Sequence, residues 1–98
     1  MHVTAKRLLG KRAFVTGGSR GIGAAIVDRL AEEDAAVAFT HRGQDQGNGP
    51  KKHSKTNDGG MEIQADSADP DALTQAVEKA AKNLSGIDIF VSNAGKAA

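Results

Sequence analysis

Thr16-Gly17-Gly18-Ser19-Arg20-Gly21-Ile22-Gly23 follows the short apolar run Ala13-Phe14-Val15 and opens a stretch with helical periodicity. A strand, a glycine-rich turn and a helix N-terminus, in that order, make a phosphate cradle. Gly17 lets the backbone turn sharply off the strand, Gly21 lets it approach a pyrophosphate, and Gly23 lets the helix pack close to the sheet. The N–H groups of residues 21–23 and the positive end of the helix dipole then face the anion. The competing reading is a glycine turn that holds nothing. The strand before it, the helix after it and the motifs downstream favour a dinucleotide site. No Gly-Lys-Ser/Thr closes the loop, so a Walker-type nucleotide site fits poorly.

Outward from the octet, the chain alternates strands and helices. Residues 12–16 read as the first strand and 21–33 as a helix with Ile22, Ala25, Ile26 and Leu30 on one face. Asp34 stands just past the helix end, where a residue that tolerates the left-handed conformation is wanted. Ala36-Val37-Ala38-Phe39-Thr40 is a second strand and Met61-Glu62-Ile63-Gln64-Ala65 a third. Asp69-Pro70 is an N-cap followed by proline at the first helical position. The helix it opens spans 70–84, with Leu73, Ala76, Val77, Ala80, Ala81 and Leu84 at three- and four-residue spacing, and Ser85-Gly86 ends it. Ile87-Asp88-Ile89-Phe90-Val91 is a fourth strand, nearly continuous in apolar residues, as in a parallel strand covered on both faces. Strand–helix–strand units pair in parallel through right-handed crossovers. The expected fold is α/β: half of a doubly wound, Rossmann-type parallel sheet with strand order 3-2-1-4, in one domain over 1–98.

Between the second and third strands the texture changes. From Gly43 to Gly60 (GQDQGNGPKKHSKTNDGG) no aliphatic or aromatic residue occurs. Such a segment buries too little apolar surface to offset its ordering entropy, and it reads as a long flexible loop.

Bulk properties narrow the function. Ninety-eight residues with a net charge of +1 give no strong field for nucleic acid or anionic membrane. The chain has no cysteine, which removes disulfides and thiolate metal sites and fits a reducing, cytoplasmic setting. The N-terminus has no signal-peptide core, and no run approaches the ~20 apolar residues of a membrane span. Three Phe with no Trp or Tyr make a poor stacking platform for single strands. Lys51-Lys52-His53-Ser54-Lys55 reads as a solvated basic loop rather than a phosphate-binding patch. His2, His41 and His53 have no partners at metal-ligand spacing. Asp88 faces the end of the sheet rather than performing chemistry.

The octet has the form T-G-x-x-x-G-x-G. With Asp66-Ser67 after the third strand and Asn93-Ala94-Gly95 after the fourth, the chain resembles the short-chain dehydrogenase/reductase family over about residues 8–42 and 61–97. In texture it is similar to 3-oxoacyl-acyl-carrier-protein reductase-like members. The resemblance implies that Gly17, Gly21, Ile22 and Gly23, opened by Thr16, line a pyrophosphate. It implies that Ser19 and Arg20 reach toward the adenosine ribose, and that Asp66, with Ser67 beside it, accepts from the adenine amino group. Asn93, Ala94 and Gly95 pass the adenosine ribose and steady the sheet centre. Ser92 stands where many members have a further Asn.

The tip of the second strand, Thr40-His41-Arg42, lacks the carboxylate that takes both ribose hydroxyls in NAD sites. Arg20 and Arg42 can clamp a 2′-phosphate by charge-assisted hydrogen bonds, so NADP(H) is preferred and NAD(H) remains open. The alternative is that both arginines are merely solvated.

Hydride transfer in the resembled family relies on a serine and a Tyr-x-x-x-Lys pair beyond the fourth strand. This chain has no tyrosine, and Lys96 follows Asn93-Ala94-Gly95 too closely to be that lysine. No catalytic residue is assigned. The expectation is the NAD(P)(H)-binding portion of a carbonyl–alcohol oxidoreductase, inactive alone, as a truncated or frame-disrupted remnant of a longer reductase. The partners expected are a dinucleotide, a small-molecule substrate only in a complete protein, and a second copy through an exposed sheet edge. The rival reading is a non-catalytic dinucleotide-binding or interaction module.

Overall fold

The computed structural model describes residues 8–17, 21–41, 60–66 and 68–93. Its elements are β1 (Arg12–Thr16), α1 (Gly21–Glu32), β2 (Ala36–His41), β3 (Met61–Gln64), α2 (Pro70–Leu84) and β4 (Ile89–Ser92). They form one sheet in the order β3-β2-β1-β4, with every neighbouring pair parallel. The expected topology is therefore the observed one.

Side-chain alternation along the central strands explains why the helices lie on opposite faces. Ala13 and Val15 of β1, with Val37 and Phe39 of β2, pack with Val27 of α1. Phe14, Ala36, Ala38 and Ile63 point the other way and pack with Ala76, Ala80 and Leu84 of α2. β1 and β2 are thus apolar on both sides, as central parallel strands must be.

The local stop and start signals behave as their chemistry requires. Asp34 follows α1 at φ 72°. The Asp69 carboxylate accepts the N–H groups of Asp71 and Ala72 at the start of α2, where proline occupies the first turn. Ser85 closes α2 in the left-handed conformation (φ 70°, ψ 30°).

Two expectations need correction. The inward face of α1 is Gly23, Ala24 and Val27, whereas Ile22 and Ala25 are exposed; only Ile26 and Leu30 of the expected set pack against the core, at its margin. The first turns of this helix are apolar nearly all round, so periodicity alone cannot phase them, and close docking selects the smallest side chains. β4 begins at Ile89 rather than Ile87; half-buried and exposed residues alternate along it, in keeping with the exposed edge expected there. Its paired neighbour is β1, and Phe90 remains 54% exposed although its ring lies 5.4 Å from that of Phe14. Ile87 leaves the strand and packs against the α2-side core instead. The polar segment 43–60 lies outside the described residues except for Gly60.

Candidate functional site: a glycine turn pinned from two strands

Parallel pairing brings the carboxyl ends of all four strands to one edge of the sheet. In open α/β sheets this is the edge at which ligands bind, where neighbouring connections diverge to opposite faces. At this edge β1 leads into α1 and β3 leads toward α2, and the two helices lie on opposite faces of the sheet.

β1 ends at Thr16, whose side chain is almost fully buried at 3% exposure. Gly17 turns the chain off the strand at φ 68°, and Gly21 starts α1 at φ 61°. Both values lie where side chains are disfavoured. The turn is fastened from both sides. Gly17 N–H donates to Thr40 Oγ1 of β2 at 2.8 Å. The Asn93 side-chain amide, just past β4, donates to the Gly17 carbonyl at 3.1 Å. Asn93 N–H donates to Thr16 Oγ1 at 3.0 Å. Both main-chain polar groups of Gly17 are therefore engaged within the protein.

Gly23 is required by the turn more than by the sheet. A Cβ on Gly23 would overlap the Gly17 carbonyl oxygen and lie 2.5 Å from Asn93 Nδ2. At Gly21 the opposite holds: among the described residues a Cβ would meet nothing within 4 Å. Among the described residues the helix start thus presents open backbone at Gly21 beside a tightly packed Gly17, which suits close approach by a phosphate group. α1 carries no acidic residue in its first turn to offset the positive end of its dipole.

Of the residues singled out from the sequence, Thr16, Gly17, Gly21, Ile22, Gly23 and Asn93 assemble around this turn, with Ile22 73% exposed at the start of α1. Asp66 lies on the same edge beyond β3, two strands from β1 in the sheet. Its Oδ1 accepts Ala68 N–H at 2.9 Å, forming a local turn before α2. Ser19, Arg20, Arg42, Ser67, Ala94 and Gly95 lie outside the described residues. Thr40 was not among the expected site residues. The available signal was a hydroxyl closing the apolar run Ala36–Phe39, level with the end of β1 because Val15 pairs with Phe39.

Residues 11–98 match the family model described as short chain dehydrogenase. The chain belongs to the short-chain dehydrogenase/reductase family. This chain is 39% identical over 85 residues to the 3-oxoacyl-acyl-carrier-protein reductase MabA of Mycobacterium avium, covering 87% of this chain and 29% of that protein. It is 41% identical over 86 residues to the cyclic-di-GMP-binding biofilm dispersal mediator protein of Escherichia coli, covering 88% and 33%. Among solved structures, a short-chain dehydrogenase/reductase from Serratia marcescens superimposes with a TM-score of 0.72 at 46% identity, over 91% of this chain and 37% of that one. An NADH-dependent reductase, A1-R′, complexed with NAD gives a TM-score of 0.76 at 28% identity, over 93% and 38%. This dehydrogenase/reductase chain spans about a third of the length of the curated relatives it matches. Among the described residues no helix is long and apolar enough to cross a membrane, and no group of His, Asp or Glu is placed to hold a metal ion.

Proposed function

We propose that the chain forms the dinucleotide-binding portion of a short-chain oxidoreductase that interconverts a carbonyl and an alcohol, with NADP(H) preferred over NAD(H). The observation that carries this reading is the pinned Gly17 turn beside backbone at Gly21 that is open among the described residues. A dinucleotide's linked phosphates need main-chain N–H groups with no side chain in the way, and α1 offers them at its start. When bound, the nicotinamide supplies or accepts the hydride. This chain's own residues bind and orient: the amides of residues 21–23 hold the pyrophosphate, Asn93 braces the turn, and Asp66 with Ser67 takes the adenine end. Arg20 and Arg42 select the 2′-phosphate, since no acid stands in Thr40-His41-Arg42.

Proton exchange at the substrate oxygen needs a tyrosine in this family, and these 98 residues contain none. The chain alone therefore binds cofactor without turnover. We place its work in the cytoplasm. The exposure of Phe90 on β4 favours a second reading, a non-catalytic module that pairs with a second copy through this edge.

Titration of NADPH and NADH with the wild type and Arg42→Ala tests the first reading. Tighter binding of NADPH, reduced to the NADH level by the substitution, supports it. Equal affinities unmoved by Arg42→Ala would remove the clamp, and failure to bind either dinucleotide would leave the second reading. An assay with NADPH and a β-keto thioester is expected to show no turnover by the chain alone.

A further inference from the structure

We infer that Thr40 is a positioning residue for the dinucleotide. Its buried hydroxyl holds the phosphate turn in its ligand-accepting shape and ties that turn to the strand whose tip selects the ribose. The inference rests on the dinucleotide reading above. Thr40 has no exposed surface, and it lies next to last in β2. Its Oγ1 accepts the Gly17 N–H across the sheet at 2.8 Å. Gly17 is the first residue off β1 and sits at positive φ, so nothing in a regular strand or helix ladder fixes its amide. An N–H drawn out of water needs an acceptor within the protein, and this bond is part-buried. Thr40 provides one from a different strand, while Asn93 anchors the carbonyl of the same residue at 3.1 Å. The Gly17 carbonyl in turn occupies the space that a Cβ on Gly23 would fill. A rotation of the Gly17 peptide would therefore move the start of α1, where the anion-binding amides lie.

The same residue stands two positions before Arg42, the proposed contact for the 2′-phosphate. Thr40 and Arg42 should therefore separate by ligand. Thr40 acts through the turn that every dinucleotide uses, and Arg42 acts on the 2′-phosphate alone.

The test is the full chain as wild type, Thr40→Val, Thr40→Ser and Arg42→Ala, titrated with NADPH and NADH, with Gly17 amide exchange followed by NMR in the absence of cofactor. Thr40→Val removes the acceptor at nearly constant shape. It is expected to weaken both dinucleotides by the same factor, about tenfold, as for loss of one part-buried hydrogen bond. It should also release the Gly17 amide to faster exchange. Thr40→Ser keeps the hydroxyl and should restore both readouts, and Arg42→Ala should affect NADPH alone. Wild-type binding left unchanged by Thr40→Val, or a Gly17 amide equally protected in it, would overturn the role of Thr40 while leaving the dinucleotide reading intact. Absence of any wild-type binding would sink both. If Thr40→Val does not fold, Thr40→Ala replaces it, and loss of cooperative unfolding in both would also overturn the inference by making Thr40 a core residue only.

Discussion

Arg12 and Asp88 clasp each other at the amino end of the sheet, opposite the glycine turn. Arg12 N–H and Nε both donate to Asp88 Oδ2 at 2.9 Å, and Nη2 donates to Oδ1 at 3.1 Å. Asp88 N–H returns a bond to the Arg12 carbonyl at 2.7 Å. Nη1 reaches the Ser85 carbonyl at the end of α2, 2.6 Å away. The guanidinium fits because residue 86 is glycine: a Cβ there would lie 2.9 Å from Nη1. One arginine thus joins β1, the end of α2 and the approach to β4. Asp88, which interrupts an apolar run in the sequence, has a structural task.

This clasp predicts a pH dependence. Hydrogen bonds from Arg12 lower the Asp88 carboxyl from 3.8 to about 2. A group depressed in the folded state stabilises it fully above its ordinary value, and that stabilisation is lost as pH falls toward the folded value. Wild-type Tm should therefore drop more than that of Asp88→Asn between about pH 4 and pH 2. The two side chains are 35% and 31% exposed, so salt should shrink the difference. Thermal melts across this range in low and high salt check both statements.

The two glycines of the helix start should respond differently to alanine. Gly23→Ala drives a methyl into the Gly17 carbonyl and toward Asn93. Its cost should be about 1–3 kcal/mol, with loss of dinucleotide binding. Among the described residues Gly21→Ala meets nothing within 4 Å and is strained by its positive φ, costing about 1–2 kcal/mol. Denaturant unfolding and NADPH titration of both variants separate steric conflict from backbone strain.

The ends of α2 offer opposite outcomes. Asp69→Ala removes the acceptor for Asp71 and Ala72 N–H and should cost about 1 kcal/mol. Ser85→Gly relieves a left-handed residue and should stabilise by about 0.5–1 kcal/mol. The Arg12 contact survives because it uses the Ser85 carbonyl. Chemical denaturation with an unchanged m-value is the expected signature.

Phe90 carries the expected edge liability. An exposed aromatic on a short edge strand favours pairing with another chain. Wild-type chain should associate with rising concentration, and Phe90→Lys should shift it toward monomer in sedimentation velocity runs.

The sequence alone determined the strand–helix alternation, the sheet order and the glycine turn. These depend on local periodicity, capping chemistry and backbone freedom, all of which neighbouring residues carry. Asp69-Pro70, Asp34 and Ser85-Gly86 announced helix ends because each satisfies or tolerates a specific backbone state. The inward face of α1 was not legible, because Gly21–Val27 is apolar on every side, and only docking selects Gly23 against Gly17 and Asn93, and Val27 against the sheet. Nor was Thr40 legible as the acceptor for Gly17, or Asp88 as the partner of Arg12. Those pairs lie 23 and 76 residues apart. A donor and an acceptor that distant become partners only when parallel strand register places them side by side, and that register is a property of the folded sheet.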